Sequence, residues 1–444
     1  MHSATSDRQR PEFGGWCPRN SANERSSRRV LPRLATLALG FVVLVTRLGA
    51  APAANEPPPR GNDRGLEYID TSFENASPVW YDFAPDGTVQ VYLLYDHERS
   101  SPNRAAGHIH IQLQAKTGTR LILEFKNLDN VWNGQPGSVA PELKSMVISQ
   151  DGRAWKSVPL ESLPGNRVRL PIEMPGPKLY VARVEPYRLS DLGAFLETIR
   201  SNPLVQITSI GKTVQGRDLE LIRVGDPEAP YRVFLRARAH PWEAGGNWVV
   251  EGLVHRLLRG DGEAKRYLDR YCAYIQPMAN KDGVALGRTR FNFQGRDLNR
   301  NWDKPADASL APENYALEKW LEGMIQAGRA PHLALEIHND GNGLLHISRP
   351  PGPDLPRHVQ RMAVLEELLR QHTWFTEGST KEAFRNSGTL GDGWLERYHI
   401  DAAVHEFNCN WIAGVKDYPS AQHWRTYGEN LARVFYEYMG SVNP

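Results

Sequence analysis

The chain has 444 residues, 53 of them Lys or Arg and 51 Asp or Glu, with a formal net charge of +2, 40% hydrophobic content and 3 cysteines. That length suits two or three domains with full cores, and the composition excludes a disordered chain, a disulfide-dense scaffold and a zinc module of four thiolates. The near-balanced charge offers no excess to grip a phosphate backbone, so nucleic acid is not an expected partner.

Residues 1–33 are polar and basic, and residues 34–45 form an apolar run. The run is short for a bilayer span and suits the apolar region of a signal peptide. Ala51-Pro52-Ala53 offers a small-residue cleavage site, and Ser27-Arg28-Arg29-Val30-Leu31 resembles a twin-arginine export signal. Residues 1–54 are therefore expected to be a signal peptide, giving an exported protein, periplasmic or extracellular, without stable membrane insertion once the signal is removed. An uncleaved signal would instead leave a membrane anchor. Cleavage removes eight basic and three acidic residues, leaving 45 against 48 and a charge of −3. Cys17 leaves with the signal. Cys272 and Cys409 remain, either as one disulfide or as two buried thiols. Residues 55–65, with Pro57-Pro58-Pro59, read as a linker.

Residues 66–187 show short alternating runs broken by turn residues. Residues 89–95, 108–113 and 120–125 read as strands, and Asp151-Gly152 and Pro164-Gly165-Asn166 punctuate two more around Val147 and Val168. A small all-β sandwich is expected. His108 and His110 alternate as in a half-exposed strand, which explains them better than a metal pair with no third ligand nearby. Trp80 and Tyr81 are expected in strand core rather than on a binding face.

Beyond Tyr187 strands and helices alternate, defining residues 188–444 as a second domain. Helices are expected over 190–200, 247–258 and 315–325, and strands over 231–235, 271–275, 333–337 and 402–404. That rhythm predicts an α/β fold, an open mixed sheet flanked by helices, with ligands at the carboxyl ends of its strands. Residues 350–356, rich in proline, read as a surface loop.

The polar residues after these strands carry the chemistry. His240-Pro241-Trp242-Glu243 follows the 231–235 strand, with Gly245-Gly246 opening a helix. An H-x-x-E tetrapeptide is weak alone. With His338 after the 333–337 strand, however, it completes two imidazoles and a carboxylate, a set that leaves zinc a position for water. Between them, a loop holds Arg290 and the run Gly295-Arg296-Asp297-Leu298-Asn299-Arg300-Asn301-Trp302. Asn299 and Arg300 offer an amide and a guanidinium fork suited to a carboxylate. Glu406 follows the last short strand, and near a zinc it becomes a candidate general base.

In this order, His240-x-x-Glu243, residues 278–284, the run 295–302, His338 and Glu406 resemble the zinc carboxypeptidases of the carboxypeptidase A superfamily. The β-domain and the short spacing from Arg290 to Asn299 resemble its cytosolic-carboxypeptidase branch and bacterial relatives. The resemblance implies that His240, Glu243 and His338 hold one zinc ion and that Asp297 orients the ring of His240. It implies that Glu406 takes the proton of a zinc-bound water and Arg290 stabilises the oxyanion. Asn299 and Arg300 would clamp the terminal carboxylate of a peptide or protein substrate.

Three departures qualify the match. Phe384, three residues before Ser387-Gly388, stands where the digestive enzymes place a substrate-covering tyrosine, so apolar coverage remains without a hydroxyl. Gly388-Thr389-Leu390-Gly391 replaces the Gly-Thr-Gly-Arg of deglutamylating members, which removes support for polyglutamate trimming and leaves Arg385 as a speculative substitute. Lys281 stands where a proline is usual. The expected function is a zinc-dependent metallocarboxypeptidase. Its alternatives are a cell-wall stem-peptide hydrolase on the same scaffold and a non-catalytic binding protein. The sequence is silent on oligomeric state.

Overall fold

Alternating apolar residues in the first part of the folded chain close two sheets face to face. The computed structural model describes residues 65–382 and 388–442. The expected signal peptide, almost all of the linker, and Phe384, Arg385 and Ser387 lie outside the described residues. One sheet runs in the order Leu66–Asp70, His110–Ala115, Lys178–Ala182, Ser145–Ser149 and Lys156–Pro159. The other runs Glu161–Leu163, Arg167–Glu173, Arg120–Lys126, Val89–Leu93 and Val79–Phe83. Val89, Val91 and Leu93 of one strand and Val168, Leu170 and Ile172 of another are buried in the shared core, as period-two alternation requires. This is the all-β region that the sequence leads one to expect.

Two details of that region differ from expectation. His108 and His110 are both buried rather than half-exposed; His108 Nε2 pairs with the Asn75 carbonyl at 2.9 Å. Burial pushes their pKa values down to about 4 and about 3. Trp80 is exposed, stacked on Tyr92 with ring centroids 3.9 Å apart, because it occupies an outward position of its strand; Tyr81, next in line, packs against the core.

The rest of the chain builds a seven-stranded mixed sheet. Its order is Val205–Lys212, Asp218–Val224, Tyr271–Gln276, Tyr231–Ala237, Leu333–Asp340, Asp401–Asn408 and Leu345–Ile347. The four strands from Tyr271–Gln276 to Asp401–Asn408 are parallel, and the flanking pairs are antiparallel. Buried on both faces, the parallel strands read as nearly continuous apolar runs. Helices Gly245–Leu257, Leu355–His372 and Ala421–Val442 cover one face, around Val233, Leu235 and Ile337. Helices Pro312–Gln326 and Leu390–Tyr398 cover the other, around Phe234, Ala334 and Ala402. The expected loop at 350–356 is shorter than its proline content suggests, since Leu355–His372 takes Pro356 into its first turn, where no amide donor is needed. Cys272 and Cys409 are buried free thiols. Among the described residues no helix is long and apolar enough to cross a membrane.

Candidate metal centre and active site

The site assembles where the parallel strands end. Past Ala237 the chain turns through Arg238, held in left-handed backbone at φ 63°. Its buried guanidinium donates to the Pro241 carbonyl at 2.7 Å and to Asn247 Oδ1 at 2.8 Å, fastening the turn that carries His240 and Glu243 to the following helix. That helix starts against the neighbouring strand. A Cβ at Gly245 would lie 2.6 Å from the Asn339 amide nitrogen, and one at Gly246 3.0 Å from Ile337 Cγ2. The absence of side chains at both positions eases this approach, which brings the turn to His338.

Four donor atoms then converge. His240 Nδ1 lies 2.9 Å from Glu243 Oε1, His338 Nδ1 2.7 Å from Glu243 Oε2, and the two Nδ1 atoms are 3.1 Å apart. Ligands about 2.1 Å from a tetrahedral zinc stand about 3.4 Å from each other, so the spacing and chemistry of this buried trio fit that ion. The opposite ring nitrogens fit as well. His240 Nε2 faces Asp297 Oδ1 at 3.1 Å, and His338 Nε2 faces Glu336 Oε2 at 3.4 Å, so each ring can keep its proton there and offer Nδ1 as a ligand. Burial disfavours the charge on Glu243, yet the two imidazoles hold its pKa well below the ordinary 4.5. Burial likewise opposes a charge on His338, but Glu243 and Glu336 hold its pKa well above 6.5.

The other expected residues surround this trio. Glu406 pairs in register with His338 on the adjacent parallel strand, so both project from the same face. Its Oε2 is buried with no hydrogen-bond partner among the described residues, and burial together with the charge of Asp340 pushes its pKa well above 4.5. Asp297 Oδ2 accepts a hydrogen bond from Arg290 Nε at 2.8 Å and forms an ion pair with its Nη2 at 2.7 Å. Despite burial, Arg290 and His240 keep Asp297 well below 3.8. Asn299 Oδ1 accepts from the Leu390 amide at 2.9 Å, and its Nδ2 lies 3.1 Å from His338 Nε2, a contact that is not a hydrogen bond while that nitrogen carries the ring proton. Arg300 donates to the Asn299 carbonyl at 2.8 Å and borders open space. His240, Glu243, Arg290, Asn299, Arg300 and Glu406 all line one hollow of about 330 Å³. An adjoining hollow of about 780 Å³ shares Arg290 and Arg300 and reaches Arg349 and Gly388.

Several contributors escape the sequence reading. Glu336 and Arg236 form a fully buried pair at 2.6 Å beneath the site, in register on neighbouring strands. A charge inside each of two apolar strands was the available signal. Asp340 and His346 join Glu406 in a second trio whose ligand atoms lie within 4.8 Å of one another. Asp96, from the β-region, accepts the backbone N–H groups of Arg290 and Phe291, both at 2.8 Å. Trp132 and Glu142, also from the β-region, wall the smaller hollow. Lys281, in place of a proline, starts the short helix Lys281–Ala285 and pairs with Glu220.

Residues 193–321 match the family model described as zinc carboxypeptidase. The chain is 31% identical over 197 residues to cytosolic carboxypeptidase 6 of Caenorhabditis elegans, covering 43% of this chain and 41% of that protein. It is 33% identical over 154 residues to cytosolic carboxypeptidase 1 of Danio rerio, covering 34% of this chain and 13% of that one. The chain thus spans less than half the length of the curated relatives it matches. Its fold is that of a metallo-carboxypeptidase from Burkholderia cenocepacia, with TM-score 0.73 and 22% identity over 85% of this chain and 99% of that one. A metallo-carboxypeptidase from Pseudomonas aeruginosa, solved with (2-guanidinoethylmercapto)succinic acid, gives TM-score 0.71 at 22% identity, covering 85% and 100%.

Proposed function

We propose that this chain, part of which matches the zinc carboxypeptidase family model, is a zinc-dependent metallocarboxypeptidase that hydrolyses the last peptide bond of peptide or protein chains. The observation that carries the reading is the convergence of His240, Glu243 and His338, with Glu406 beside His338 on the next strand. One zinc ion held by His240, Glu243 and His338 would supply Lewis acidity and stabilise negative charge developing beside it. The remaining roles belong to the protein's own side chains.

Glu406 takes a proton from the attacking water at a carboxylate oxygen and passes it to the departing amine; its Oε2, without a hydrogen-bond partner among the described residues, supports this assignment. Arg290, braced by Asp297 and by Asp96 at its backbone, directs guanidinium N–H groups at the developing oxyanion, a contribution on the order of a hundredfold in rate. Arg300 pairs with the terminal carboxylate and so favours chain ends over internal bonds. Asn299, whose amide already binds Leu390, adds to that clamp mainly by holding Arg300 through its carbonyl. Residues 1–54 support export as a further part of the proposal, and cell fractionation of the full-length protein tests it.

The defining experiment incubates the purified protein with model peptides and, in parallel, with muropeptides, and follows products by mass spectrometry. Single residues should leave from free C-termini, and amidated ends should resist. Cleavage of muropeptides alone would establish the stem-peptide hydrolase instead. Internal cleavage, or indifference to amidation, would reject the carboxypeptidase reading.

A further inference from the structure

Trp242 sits in the turn between two candidate zinc ligands, yet its ring belongs elsewhere. Its backbone follows His240 and Pro241, whereas its side chain, 7% exposed, is packed into the same apolar cluster as Ile109, Leu128, Val139 and Leu143 of the β-sandwich. The fit there is tight. At Gly107 a Cβ would come within 2.5 Å of Trp242 Cζ3, so that position leaves no room for a side chain. Arg183, just past the strand Lys178–Ala182, lays its guanidinium 3.8 Å from the ring centroid. The polar end of the same indole points back to the site. Nε1–H donates to Glu243 Oε1 at 3.0 Å, the oxygen that also faces His240 Nδ1.

We propose that Trp242 is a positioning residue that ties the zinc ligand Glu243 to the β-sandwich core. A carboxylate on a short turn can rotate about its side chain and present one, two or no oxygens to a metal. The indole N–H removes that freedom by holding Oε1, and groups that hold a ligand from behind are commonly worth 10–100-fold in metal affinity. The ring cannot relax away, since its faces are occupied by Arg183 and the sandwich core, and a buried indole N–H needs an acceptor. The β-sandwich is therefore part of the metal centre, and its packing sets how well the centre binds zinc. This inference rests on the zinc-site reading above.

The test uses full-length protein stripped of metal. Zinc affinity is measured by competition with a chromophoric chelator, and ligand geometry from the visible absorption of the cobalt-loaded form. Trp242→Phe keeps an aromatic ring in the sandwich while removing the N–H donor and part of the indole volume. Its zinc dissociation constant should rise by about 10–100-fold and its cobalt spectrum should change, while the apoprotein stays folded with a melting temperature lowered only by the lost ring volume. Arg183→Lys keeps the charge but loses the flat stack; it should weaken zinc binding in the same direction by a smaller factor, although it lies outside the ligand turn. A Trp242→Phe affinity within about twofold of wild type would overturn the proposal. Wild-type affinity in Arg183→Lys would overturn its link to the sandwich. No zinc binding by the wild type would instead reject the zinc site itself, which keeps the two failures apart.

Discussion

Glu406 and Asp340 face the same space from neighbouring strands, and their like charges set how the base titrates. Burial first, and the Asp340 charge second, raise the Glu406 pKa well above 4.5. The proposed base works only when ionised, so kcat/KM should fall as pH drops through the Glu406 pKa of the zinc-loaded enzyme, which Asp340 raises and the cation lowers. Asp340→Asn deletes the like charge and should move this acid limb to lower pH; a limb that stays in place would exclude the coupling. Glu406→Gln should lower turnover by about a hundredfold or more with zinc still bound, read by activity and metal content together. At this scale the sequence was most informative. His240, Glu243, His338 and Glu406 stand out because each lies near the carboxyl end of a strand, and with Asp297, from the loop between them, they belong to an ordered motif. Trp242, Glu336 and Asp96 did not, because their partners lie on other elements or in the other region of the chain.

Helix Gly245–Leu257 carries the ligand turn at its start and is pinned by helix Ala421–Val442 through two glycines. A Cβ at Gly428 would meet the Val249 carbonyl oxygen at 1.9 Å, and one at Gly252 the Arg425 carbonyl oxygen at 2.0 Å. Both obstacles are backbone, which cannot swing aside. Gly428→Ala should therefore cost about 1–3 kcal/mol or more in urea unfolding. By contrast Gly323, in the helix Pro312–Gln326 with open space around it, should gain about 0.5–1 kcal/mol as Ala. Equal effects at the two positions would remove the close crossing from the account. The buried parallel strands were legible as apolar runs. The hairpin Val205–Lys212 with Asp218–Val224 was not, since its outer strand is largely exposed and mixes polar with apolar residues. Helix Ala421–Val442 does carry a periodic signal in Trp424, Tyr427, Leu431, Phe435 and Tyr438, but its aromatic residues and two glycines blur it.

Across the whole molecule, the β-sandwich holds Glu243 through Trp242, holds the Arg290 loop through Asp96, and walls the cleft with Trp132 and Glu142. None of these links has a local sequence pattern, because each joins residues far apart in the chain. The sandwich should also make stability sensitive to acid. Burial lowers the His108 and His110 pKa values to about 4 and about 3, so below about pH 6.5 the unfolded chain binds protons that the folded one does not. Stability should accordingly fall as pH drops from about 6.5 towards 4, by ~3 kcal/mol for His108 alone, and His108→Gln should flatten that slope in urea titrations. An unchanged slope would exclude the buried imidazole as its source. The central claim is that one zinc ion joins His240, Glu243 and His338. Anomalous diffraction at the zinc edge from zinc-grown crystals tests it most directly. The account predicts one strong peak about 2.1 Å from Nδ1 of both histidines and from the Glu243 carboxylate. No peak there, or the main peak at Asp340, His346 and Glu406, would contradict it.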